Sequence, residues 1–127
     1  MTNQEIYRAA LGLLAEPGDP SDYADRAPYI IANFISENLQ LDKNYRTFRG
    51  EDAPVVAQTV CVNMDGEFPL SPRFAPAAEF YLASMLIDDE DTDRADTFFD
   101  RYCTSLSTII SEIPALREKI IATFGVE

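Results

Sequence analysis

The sequence predicts a mainly α domain: a bundle of four to five helices with a small β-hairpin or extended excursion in the middle. Three observations carry this. Apolar residues recur at three- and four-residue spacing in the first, second and last thirds of the chain. Helix-start and helix-stop signals bracket those stretches. Between them lies one β-branched run followed by Asp65-Gly66, a tight-turn pair. At 127 residues the chain is expected to form one domain, large enough to bury a core without metal or disulfide.

The elements follow in order. Thr2-Asn3-Gln4-Glu5 has the form of a capping box, and Ile6, Ala9, Ala10, Leu13 and Leu14 give the first helix its stripe. Pro17-Gly18-Asp19-Pro20 is expected to stop it. Ser21 can cap the second helix, with Asp22 and Asp25 at the positive end of its dipole and Ala27, Ile31, Phe34, Ile35 and Leu39 on its apolar face. Pro28 either kinks that helix or marks its true start.

Residues 41–54 are polar and without period, which predicts a long loop. Three of the ten basic residues fall there, Lys43, Arg46 and Arg49, interleaved with Tyr45 and Phe48. Either this loop is a contact surface on an acidic protein, or its aromatics simply pin it down. Val55 to Val62 then suggests a strand, with Asp65-Gly66 as the turn and Pro69 closing the second arm early. The part from Pro54 to Thr59 could instead be a helical turn or two.

Pro72 and Pro76 lead into a third helix around Phe80–Ile87, apolar nearly all round. Such a helix sits mid-bundle or against another subunit. After an acidic stretch comes what reads as the longest helix, with Ala95, Phe98, Phe99, Tyr102, Leu106, Ile109, Ile110 and Ile113 on one side. Pro114 ends it or opens the next, whose stripe is Leu116, Ile120, Ile121 and Phe124, with Gly125 as its cap.

The acidic stretch "LIDDEDTDRAD" (86–96) has three readings. Asp89, Asp91 and Asp93 begin like a calcium loop, but Arg94 stands where such a loop needs glycine, and Asp100 where it needs glutamate. Helix chemistry explains more: Asp91 or Thr92 caps the fourth helix, and Asp88 and Asp89 close the third in water. The excess of acids still leaves room for a docking patch at Asp88, Asp89 and Asp91, with Asp65 as a further contact.

The net charge of −12 sets the chain against nucleic-acid phosphate and anionic membranes. It suits a basic partner, or solubility alone. No histidine is present, which removes histidine-based nucleophile pairs, acid–base catalysis and HExxH metal sites. No P-loop or GxGxxG occurs. The expectation is a non-enzyme without metal or cofactor. Cys61 and Cys103 lack zinc-site spacing and read as buried free thiols, or as a pair if the fold joins them. With no signal-like start and no long apolar span, the chain is expected to be cytosolic.

Residues 65–106 resemble small tailed-phage head–tail connector proteins. The likeness rests on Glu67, Pro69 and Leu70 before a helix with Tyr81, Leu82, Ala83 and Leu86. An acidic corner follows, and then a helix with Ala95, Phe98 or Phe99, Tyr102 and Leu106. The opening "IYRAALGLLAEPGDPSDYADRA" (6–27) resembles the first helices of such proteins from prophages of gut Firmicutes. The resemblance implies a head–tail connector or adaptor that docks beneath the portal ring, several copies forming a homo-oligomeric ring that extends the DNA channel. Its partners would be portal, stopper or tail proteins. It would reside in the host cytoplasm during assembly and then in the virion. The loop 41–54 and the turn at Asp65-Gly66 become candidate contacts. The rival reading is an acidic, DNA-mimic-like inhibitor of a basic nucleic-acid-binding protein; a third is an enzyme using a carboxylate pair.

Overall fold

The computed structural model describes residues 1–114, so the predicted last helix (Leu116 to Gly125) lies outside the described residues. Among the described residues there are four α-helices: α1 (Asn3–Leu13), α2 (Ser21–Phe48), α3 (Ala75–Ile87) and α4 (Thr92–Ser111), with a 3-10 turn at Pro72–Phe74 before α3. Helix α3 packs against the other three. That is the central place its all-round apolar sequence requires, and Ala77, Ala83 and Leu86 are fully buried.

The caps show why the helices end where they do. Thr2 Oγ1 accepts the Glu5 N–H (3.1 Å) while Glu5 Oε1 accepts the Thr2 N–H (3.4 Å), which is the predicted capping box. Helix α1 stops before the Pro-Gly stretch. Glu16 N–H donates to Leu11 O and Ala15 N–H to Gly12 O, with Ala15 in the left-handed region at φ 54°. Ser21 does not cap α2; it is already the first helical residue, after Pro20. Pro28 lies inside α2 and does not start it.

The greatest departure from the sequence reading is at the C-terminal end of α2. Residues 41–48 are helical, not loop, and α2 rather than α4 is the longest helix. The same two-bond stop recurs there: Glu51 N–H to Arg46 O (2.8 Å) and Gly50 N–H to Thr47 O (3.1 Å), with Gly50 at φ 70°. Glycine suits that position because it takes positive φ without a Cβ penalty.

The β-hairpin is not formed. The turn at 63–66 is present, closed by Gly66 N–H to Asn63 O. The segments flanking it stay unpaired with each other, and among the described residues the one bridge joins Thr2 to Glu67. A lone hairpin is marginal, and here the turn and the second arm spend their hydrogen bonds on the first residues of the chain: Asn3 N–H to Gly66 O, Gln4 N–H to Met64 O and Phe68 N–H to Met1 O. Nor is Pro54 to Thr59 helical. Both cysteines are exposed and free, against the expectation of burial, because Cys103 falls on the outer face of α4 and Cys61 on the outer arm.

Aromatic packing ties the bundle together. Phe34, fully buried on α2, has ring centroids of Phe68, Tyr81 and Tyr102 at 6.2, 5.6 and 5.9 Å. Tyr81 of α3 meets Tyr102 of α4 edge-on at 5.0 Å. Their hydroxyls accept hydrogen bonds from α2: Asn33 Nδ2 to Tyr81 (2.6 Å) and Asn38 Nδ2 to Tyr102 (3.3 Å).

Burial raises the pKa of Tyr7, Tyr81 and Tyr102 and pushes Tyr23 up to about 12; hydrogen bonds to Asp19 and Glu90 add to the effect at Tyr7 and Tyr23. The folded state therefore favours neutral tyrosine. The stabilisation is complete below the ordinary tyrosine pKa of about 10 and is lost as pH climbs towards the folded values. Alkaline titration followed by tyrosinate absorbance and circular dichroism is expected to show these tyrosines ionising above the ordinary tyrosine value of about 10, together with loss of helix. Ionisation at about pH 10 with the helices intact would contradict their burial.

Candidate functional site

No described helix is long and apolar enough to cross a membrane. Among the described residues no three Cys, Asp or Glu side chains come together as a metal site, and the "DDEDTD" run forms the turn between α3 and α4 and the first residues of α4. Asp91 is the cap of α4, its Oδ1 accepting the Arg94 N–H at 3.1 Å. The three-residue turn before it is closed by Glu90 N–H and Asp91 N–H, both bonded to Ile87 O.

Around that cap the acids are largely unspent. Asp88, Asp89, Asp91, Asp93 and Asp96 are exposed, and none is in an ion pair with a described residue. Glu90, exposed like its neighbours, accepts the Tyr23 hydroxyl and so pins the corner to α2. The nearest α2 cation, Arg26, faces Asp22 (3.0 Å) and donates to Leu86 O (2.8 Å), covering the carbonyl end of α3. Beyond the corner, Asp89, Asp93, Asp96 and Asp100 follow at three- and four-residue steps and are all exposed. Three of them form one carboxylate stripe on α4.

The basic trio predicted as a contact is split by the extension of α2. Lys43 is exposed on the helix. Arg46 is tied down: Nε meets the buried Asp42 at 3.0 Å and Nη2 donates to Pro69 O at 3.3 Å. Arg49 pairs with Glu51 (3.2 Å) and lies over the Tyr45 ring at 5.7 Å. Asp65 is exposed at the 63–66 turn, remote in sequence from the acidic corner. The candidate contacts thus do not form one site. Lys43 and Arg49 mark the C-terminal end of α2, and Asp88, Asp89 and Asp91 mark the α3–α4 corner.

The sequence reading missed a third surface. The chain from 54 to 69 opens over α2 and bounds a cleft of about 420 Å³, floored by Ala32, Ile35, Ser36 and Leu39. Asn3 also lines it. Asn3 is 3 % exposed; its Nδ2 donates to Asn63 O (2.9 Å), whereas its Oδ1 has no hydrogen-bond partner. A second, shallower depression of about 410 Å³ adjoins the cleft, sharing Ala32, Ser36 and Thr59 and adding Tyr29 and Val60. The signal was present in the sequence: residues 53–64 carry no charged side chain.

No protein-family model, curated protein or solved structure matches the chain.

Proposed function

We propose that the chain is a structural virion-assembly protein of a phage or prophage, a head–tail connector or adaptor that docks on the portal ring and lines part of the DNA channel. The carrying observation is the exposed acid surface of the α3–α4 corner, free of ion pairs with described residues, on a chain of net charge −12. A wall of carboxylates repels phosphate and lets DNA pass without being gripped. The resemblance of residues 65–106 supports the same reading. Its apolar positions Tyr81, Leu82, Leu86 and Tyr102 are buried where α3 meets its neighbours.

The carboxylate stripe Asp93, Asp96 and Asp100 on an exposed helix face favours one further reading, an acidic inhibitor that occupies a basic nucleic-acid-binding protein.

Sequencing outward from the gene separates the two. Portal, protease and capsid genes upstream and tail genes downstream are expected, and co-expression with that portal should give a complex with ring symmetry in electron micrographs. A restriction or nuclease gene nearby, with a complex that dissolves as salt rises, would overturn the connector in favour of the inhibitor.

A further inference from the structure

The surface around the 54–62 segment is unlike the rest of the molecule. Of 127 residues, 32 are charged, yet every residue lining the two adjoining depressions is uncharged except Glu67. Glu67 is itself paired with the Met1 ammonium at 3.0 Å. The surface is also apolar where apolar groups are costly to show: Val55 is 100 % exposed, Val60 80 % and Tyr29 55 %.

The backbone there is unspent as well. Among the described residues, no N–H or C=O group of residues 53–61 has a hydrogen-bond partner. Hydrogen bonds reach the segment only at its ends, Arg46 Nη1 to Asp52 O and Val62 N–H to Pro28 O, and Val56 packs against the core from within it. It lies outside any helix, is rich in β-branched residues and is unpaired, so its backbone is free to take a neighbouring strand. The orphaned Oδ1 of Asn3 in the adjoining cleft is an acceptor awaiting a donor.

Charge decides what the neighbour is. A basic partner gains by approaching carboxylates, and this face offers it none that is unpaired. A second copy of the chain, itself at −12, meets little like-charge repulsion here, because the face carries almost no charge. We propose that two copies meet on this face, pairing their 55–60 segments as β-strands and covering Val55, Val60 and Tyr29. Strand addition supplies main-chain hydrogen bonds, and the adjoining depressions receive side chains. The contact is two-fold, the same segment on both copies, and does not rest on the connector reading.

The exposed thiols provide a built-in test, since Cys61 lies within the face and Cys103 on α4 outside it. Sedimentation velocity on the intact chain over a range of concentrations should show a discrete assembly. That assembly should strengthen with added salt, because screening removes like-charge repulsion. Maleimide labelling of Cys61 should slow on assembly while that of Cys103 is unchanged. Val55→Glu with Val60→Glu, both at exposed positions, should weaken assembly by about tenfold or more, whereas Ser107→Glu on α4 should not. A monomer at every concentration and salt overturns the proposal. So does an assembly that ignores the glutamates or leaves Cys61 labelling unchanged. A chain that assembles through this face but ignores its portal overturns the connector reading alone.

Discussion

Phe34→Ala is expected to cost about 4 kcal/mol, the range for emptying a buried phenylalanine site, and to lower the melting temperature by roughly 15 °C. The position is severe for a structural reason. Phe34 is fully buried, and its ring meets one aromatic from each of three separate parts of the chain: Phe68 from the arm before α3, Tyr81 from α3 and Tyr102 from α4. The surrounding rings are held by hydroxyl bonds to Asn33 and Asn38 on α2, so they cannot collapse freely into the gap. Urea unfolding followed by circular dichroism measures the loss. Phe99→Ala is the internal comparison. It removes the same side chain at a position 38 % exposed and should cost under about 1 kcal/mol. Similar losses at the two positions would mean that the aromatic cluster is not the centre of the fold.

Much of this architecture was legible. The capping box at Thr2, the cap at Asp91 and the all-round apolar α3 each follow from local chemistry that tertiary contacts reinforce. The misreading of 41–48 has a plain cause: a polar residue spent on the interior looks like a solvent residue in the sequence. The buried face of α2 runs Ile31, Phe34, Ile35, Asn38, Asp42, Tyr45. That face keeps helical spacing throughout, but Asn38 and Asp42 break the apolar stripe, so 41–48 reads as loop. Gly50 was the stop signal, and its role needs the preceding helix to be seen first. The hairpin failed for the opposite reason. Its residues favour strand, but the hydrogen-bond partners of the turn and the second arm lie on the first residues of the chain, sixty residues away. Of the candidate contacts, the acidic corner was legible because acids at a helix start are local. The uncharged face was not, since it joins α2 to an arm twenty residues further along the chain.

Asp42→Ala tests whether that hidden polar anchor holds the connection onto α2. The Asp42 side chain is 2 % exposed; Oδ2 faces Arg46 Nε at 3.0 Å and Oδ1 accepts the Ser71 N–H at 2.8 Å. Removing it strands two groups at once: the Ser71 amide, in a residue 5 % exposed, and the Arg46 guanidinium. Buried partners left unsatisfied are costly, so a loss of about 3 kcal/mol is expected, with faster hydrogen exchange at Ser71. Asp42→Asn retains an acceptor for Ser71 and should cost about half as much. The sharp comparison is Asp22→Ala. Asp22 and Arg26 are also four residues apart on α2 and also 3.0 Å apart, but the Asp22 side chain is 67 % exposed. Water screens that pair, and its loss should cost under about 0.5 kcal/mol. With spacing and distance matched, a large difference isolates burial and the second bond to Ser71 as the source of the Asp42 contribution. Equal losses would instead mean that the 49–71 connection is held by its apolar contacts, Phe68 and Leu70, and that Asp42 is replaceable.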